Sequence, residues 1–278
     1  MRQNPLMMFL RIVVFAIAVF VLNFPLIATL LTSFKSDAEI SANPALWIDQ
    51  PTLANYAGIL AIRDRFDIFH YLGNSVFAAG VGAVLATLLA FPAAYAIVRH
   101  EVGERWLLPM VTNLRAIPLI IFSIPIYLVY QQLHLLDTKI GLALILCLVN
   151  LPLVLALIVN GIRSLPIEVE EAARVDGANT FAILTRIVLP MALPAIASSL
   201  ILAFIYSWNE FLFGLILTTQ NAVPMTVGAS FFFSASGGGV QWGIASAVMI
   251  ISTLPPLLIS LVAYRYIGRS LAAGAVKG

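Results

Sequence analysis

Six apolar runs, near residues 10–33, 71–98, 106–131, 140–162, 188–219 and 241–267, decide what this chain can fold into. A helix rises about 1.5 Å per residue and the hydrocarbon core of a bilayer is about 30 Å thick, so about 20 apolar residues span it with every backbone group bonded internally. No stretch sustains the strand alternation that a membrane barrel needs. Charge agrees: only 10% of the 278 residues are charged and 61% are hydrophobic, against about 25% charged in an average soluble domain. So few charges cannot cover a water-facing surface. The expectation is an all-α membrane protein, one transmembrane domain over 1–278 with six transmembrane helices.

Arg2 and Arg11 precede the first run as in a signal peptide, but that run is too long for a leader and no clean small-residue cleavage site follows, so it reads as a first span. An even number of spans puts both termini on one side. The segments on that side carry Arg2, Arg11, Arg99, Arg105, Arg163, Arg174, Arg186, Arg265, Arg269 and Lys277; the opposite segments carry Lys35, Arg63, Arg65 and Lys139. The excess places both termini in the cytoplasm. Two loops are long. The outer loop 34–70, with Pro44, Trp47 and Pro51, has room for short surface helices and a docking face, and the cytoplasmic loop 163–188 is rich in charge and helix formers. The loops 99–105 and 132–139 read as connectors, and 268–278 as a cytoplasmic tail. Prolines recur inside the spans, as is common in membrane helices.

The chain carries no recognisable engine. A phosphate-cradling loop needs lysine after glycine, and none of Lys35, Lys139 and Lys277 follows one; the run Gly237–Gly239 reads as a flexible outer turn. No metal-ligand cluster shows in the spacing: His70, His100 and His134 are far apart, sit near the expected membrane boundaries and read as interfacial histidines. The single Cys147 cannot form a disulfide within the chain and reads as a small buried hydrophobe. A net charge of +2 does not suggest nucleic acid.

The cytoplasmic loop is the most specific segment. Ser164-Leu165-Pro166 reads as a helix start, and Glu168, Glu170 and Glu171 suit the positive end of the helix dipole. Val169, Ala172 and Ala173 make a narrow face of small residues, Gly177 after Asp176 is a left-handed stop, and Asn179 or Thr180 can cap a second helix leading to Pro190. A short helix of this kind either lies on the membrane surface or inserts into a cleft on another protein.

Glu171-Ala172-Ala173, Gly177 and Ile187-x-Leu189-Pro190 follow the spacing E-A-A-x3-G-x9-I-x-L-P. The chain therefore resembles the permease subunits of binding-protein-dependent ABC importers. Ser33-Phe34-Lys35, Thr52 to Tyr56, Trp208 to Phe211, Pro224 to Gly228 and the tail Ala273 to Gly278 are similar to carbohydrate permeases of the maltose type. The resemblance implies the type I importer fold in a bacterial cytoplasmic (inner) membrane. Its implied partners are a second homologous permease, an ATPase homodimer and an extracytoplasmic solute-binding protein. It implies no cofactor on this chain, ATP and magnesium on the ATPase subunits, and a transport subunit instead of an enzyme. It also implies that Glu171, Ala172, Ala173, Asp176 and Gly177 dock on an ATPase subunit, with Glu171 making a salt bridge or cap contact, and that the tail reaches toward the ATPase pair.

The pathway is read from polar groups inside spans, which are costly in lipid and face a partner or a wet cavity. These are Arg115 and Glu210, joined by Asn113, Tyr127, Asn150, Ser207, Trp208 and Asn209. Trp208 beside Asn209 suits a polyhydroxy solute; the competing role for all of them is to join helices. The resemblance points to a sugar, polyol or glycoside. A secondary transporter would account for the spans but not for the cytoplasmic pattern, and a membrane scaffold would account for a docking helix but not for kinked, polar-lined spans.

Overall fold

A computed structural model describes residues 5–43, 45–61, 67–233 and 240–275, with side chains over 6–261 of these. The described residues form helices and no strand. They divide into two units, Met1–Ile68 with Gly228–Thr253 and Phe69–Val227 with Leu254–Gly278. Pro44, Arg63, Arg65, Gly237–Gly239 and the last three residues of the tail lie outside the described residues, as do the side chains of Arg265 and Arg269.

In the first unit, α1 (Pro5–Thr32) is a single apolar helix, and none of its most apolar window is buried against the chain. Thr29 donates to the carbonyl of Pro25, a residue with no N–H of its own, at 2.8 Å. The loop 34–70 holds two short helices, α2 (Asp37–Ala42) and α3 (Ala54–Ala61), as expected. A polar knot joins them to the end of α1. Lys35 is 4% exposed, and its ammonium donates to the carbonyls of Asn43 and Ala45. The Asn55 amide donates to the carbonyls of Ser33 (2.9 Å) and Lys35 (2.8 Å), and Tyr56 shares a 2.7 Å hydrogen bond with Ser33. The segments that carry the outer-loop resemblance thus form this joint.

In the second unit, α4 (Ile68–His100) buries Ala78, Gly82, Ala86, Ala90 and Ala94. Four-residue spacing puts them on one stripe, and small residues let helices approach closely. A Cβ at Gly82 would sit 2.9 Å from the Ala143 carbonyl oxygen and 3.0 Å from Leu146 Cβ, so α4 crosses α7 (Lys139–Arg163) in backbone contact. At Gly161 a Cβ would collide with Ala195 of α10 (Leu189–Asn209). Cys147 is buried, as the sequence suggests.

Two spans differ from expectation. The third is broken: α5 (Leu107–Asn113) and α6 (Ser123–Gln132) are parts of halves bent by 100°. Pro118 forces the preceding residue out of the helical region, and Ile117 sits at φ −84, ψ 128. Among the described residues five helices are long and apolar enough to cross a membrane, or up to six spans when the bent pair is counted as one. The fifth, expected over 188–219, is helical over Thr180–Asn209 and stops at Glu210, which is extended at ψ 125. α11 (Leu212–Leu217) follows separately. After α12 (Met225–Ser230), α13 (Trp242–Ala275) continues through Pro255 and Pro256.

Candidate functional site

The loop after α7 folds into α8 (Glu168–Val175), two residues later than Pro166 suggested, with Glu168, Glu170 and Glu171 in its first turn. Its end is a paired left-handed turn. Gly177 has φ +87 and donates to the Arg174 carbonyl at 3.0 Å, while Ala178 N–H donates to Ala173 at 2.9 Å. Asn179 then caps α9 (Thr180–Ile183), its side chain accepting from Ala182 N–H at 2.8 Å. The second helix is not a separate element. It widens into a π-turn over Leu184–Val188 and runs on as α10. Pro190 supplies the reason: it has no N–H for the Arg186 carbonyl and its ring crowds that carbonyl, so Leu189 N–H reaches back to Leu184.

Of the expected docking residues, Glu171, Ala172, Asp176 and Gly177 are exposed and Ala173 is half-buried. Val175, 87% exposed, and Phe181 add large apolar groups to this surface. Glu170 was grouped with the dipole-facing acids, yet it is 2% exposed. Its carboxylate accepts from Arg99 Nε at 2.7 Å and from the Tyr95 hydroxyl at 3.1 Å, both on α4. Sequence spacing could not reveal a partner 71 positions away. Nearby, Arg163 donates to Glu104 at 2.6 Å.

The pathway candidates separate into two groups. Asn150 is 4% exposed and donates to Ser207 Oγ at 2.9 Å, joining α7 to α10. Trp208 is 3% exposed and stacks on Phe204 with ring centres 5.8 Å apart. Its face is therefore covered, and it does not present a surface alongside Asn209, which is exposed. Glu210 acts locally: its carboxylate accepts N–H bonds from Phe213 (3.0 Å) and Gly214 (3.3 Å), starting α11. Asn113, Arg115 and Tyr127 are exposed. The Arg115 guanidinium lies over the ring of Tyr206, 5.4 Å from its centre, so the break in the third span meets the end of α10 there. Sequence reading passed over Tyr206, an aromatic among many apolar neighbours. Arg115 also lines an apolar cavity of about 150 Å³ with Leu119, Phe122, Ile145 and Phe213.

The loop 132–139, read as a connector, is an anchor. Asp137 adopts φ +53 and its carboxylate accepts N–H bonds from Thr219, Gln220, Asn221 and Ala222. Partial burial opposes ionisation, but those four donors overcome it and hold the carboxyl down at about 2. Asn221 is tied in turn to α4, its carbonyl accepting from Asn74 at 3.1 Å.

Comparison with known proteins agrees with this architecture. Residues 82–273 match the family described as binding-protein-dependent transport system inner membrane component. The chain is 32% identical, over the full length of both proteins, to the trehalose/maltose transport system permease protein MalG of Thermococcus litoralis. It is 30% identical to the sulfoquinovosyl glycerol transport system permease protein SmoH of Agrobacterium fabrum, covering 92% of this chain and 89% of that one. Among solved structures, a bacterial ABC transporter that imports the acidic polysaccharide alginate superposes with a TM-score of 0.77 at 22% identity, covering 96% of this chain and 98% of that one.

Proposed function

This chain belongs to the inner membrane components of binding-protein-dependent transport systems, and from that premise we propose how it works within an importer. It is a multi-pass permease subunit of an ABC importer, a transport subunit and not an enzyme. Its cargo is a sugar, polyol or related glycoside, a reading supported by relatives whose names specify trehalose, maltose and sulfoquinovosyl glycerol. It pairs with a second, homologous permease to form the pathway, receives solute from an extracytoplasmic binding protein, and rests on an ATPase homodimer that holds ATP and magnesium. Both termini face the cytoplasm.

The observation that carries the coupling role is α8. It is a short helix whose buried acid fixes it to α4 while Glu171, Ala172, Asp176, Gly177 and Val175 stay uncovered. Such a surface fits a cleft on an ATPase subunit. ATP favours closure of the ATPase pair, and only a helix that follows the cleft converts that preference into movement of the spans. Arg115, Tyr206 and Asn209, exposed where two helices break, are the pathway groups this arrangement favours. Asn113 and Tyr127 are exposed as well, whereas Asn150, Trp208 and Glu210 serve it from behind.

The test is purification from the native membrane followed by reconstitution in vesicles. The chain should co-purify with an ATPase and a second permease, and uptake of labelled maltose or trehalose should require ATP and the binding protein. Uptake by the lone chain, driven by an ion gradient, would overturn the reading in favour of a secondary transporter.

A further inference from the structure

The buried acid of α8 is not needed to make a docking surface, because it points away from it. Glu170 and the side chain of Arg99 are 2% and 7% exposed. Arg99 does more than neutralise the acid: its Nη2 donates to the carbonyls of Ile162 (3.3 Å) and Leu165 (3.2 Å). The Ile162 carbonyl lies in the last turn of α7 and also accepts from the Leu165 N–H at 3.0 Å, while the Leu165 carbonyl lies two residues past the end of that helix. Tyr95, one turn before Arg99, occupies the other oxygen of Glu170. One guanidinium therefore ties α4, α7 and α8 at a single point, and α4 supplies donors to both oxygens of the acid.

A buried ion pair is a poor way to gain stability compared with apolar packing, but it is specific in direction. The other connection out of α8 is softer. It passes the left-handed turn at Gly177, one capping bond from Asn179 and the π-turn of Leu184–Val188 before α10 begins. We propose that Arg99, Glu170 and Tyr95 form a latch that passes displacement of α8 directly to α4 and α7. Chain continuity into α10 is the secondary route. These are positioning residues. They touch neither cargo nor ATPase, and the proposal rests on the reading of α8 as the docking helix.

The experiment uses the full importer in vesicles, with two readouts: retention of the ATPase subunits through gel filtration, and ATP hydrolysed per solute taken up. Glu170→Gln keeps the shape of the side chain and removes its charge. Arg99→Lys keeps the charge and loses the fork that reaches Ile162 and Leu165. Both variants should retain the ATPase and raise ATP use per solute roughly tenfold, within the usual span of coupling energies. Exchange of the two charges, Arg99→Glu with Glu170→Arg, should recover part of the loss.

A wild-type ratio in both Glu170→Gln and Arg99→Lys overturns the latch. So does loss of the ATPase from Glu170→Gln, which would make the pair part of the docking surface. Ala173→Trp separates the two readings, since it should shed the ATPase by bulk. If it assembles and transports normally, the docking reading fails and takes the latch with it, whereas a failure of the latch alone shows in its own variants, as a wild-type ratio or a lost ATPase.

Discussion

Replacement of Gly177 isolates the turn that ends α8, the helix proposed to dock on an ATPase subunit. A Cβ added there meets nothing within 4 Å, so within this chain no steric contact opposes a side chain. The backbone does oppose it, because φ is +87 and an L-residue in the left-handed region costs about 1–2 kcal/mol. At about 1.4 kcal/mol per factor of ten, Gly177→Ala should lower the population of the paired turn roughly 5- to 30-fold relative to alternatives. Asparagine visits this region more readily than alanine, so Gly177→Asn should keep most of the turn. The assay is ATP-dependent uptake in vesicles together with retention of the ATPase subunit. The expected order is wild type, then Asn, then Ala. Full activity in Gly177→Ala would refute the conformational argument. Strong loss in Gly177→Asn, equal to that of Ala, would instead mean that the ATPase surface itself comes too close for a side chain.

Further outcomes follow from the same geometry. The Asp137 carboxyl is held at about 2 against an ordinary 3.8, so its stabilisation is present above the ordinary value and is lost as pH falls from about 4 to about 2; the melting difference between wild type and Asp137→Asn, followed by intrinsic fluorescence, should be clear at neutral pH and shrink across that window. Gly82→Leu forces side-chain atoms into the backbone of α7 and should destabilise the purified subunit by about 1–3 kcal/mol or more, read as a lower melting temperature. Glu210→Gln keeps an oxygen for the Phe213 N–H and should assemble and transport normally, whereas Asn209→Ala should assemble normally and slow uptake; wild-type uptake in the latter removes Asn209 from the pathway. Arg115→Gln should cut uptake several-fold with the ATPase retained, and unchanged uptake would assign Arg115 to helix joining instead.

The span count was legible because apolar length is a property of one segment, and lipid asks for little else. The Gly177 turn and the Asn179 cap were legible for the same reason: each depends on residues within a few positions. What escaped were features set between segments or by direction. Hydropathy is continuous across Pro118, yet the helix turns by 100° there. The stripe from Ala78 to Ala94 reads only as apolar until a second helix is placed against Gly82. The loop 132–139 reads as a connector because the four donors to Asp137 lie more than 80 positions on. Trp208 and Asn209 are neighbours in sequence, but adjacent helical positions point about 100° apart, and only one of the two is exposed.

The pattern from Glu171 to Pro190 therefore carries two kinds of information that spacing alone merges. Its first half builds a surface: Glu171, Ala172 and Gly177 are exposed, and the residue just before them, Glu170, is turned inward to fix the helix to α4. Its last residues build a joint. Pro190 has no N–H for the Arg186 carbonyl, and the chain answers with a π-turn between α9 and α10. A stiff attachment on one side and a widened turn on the other give α8 an asymmetric connection to the spans. Movement imposed on it then reaches α4 and α7 before it reaches the helix that follows in sequence.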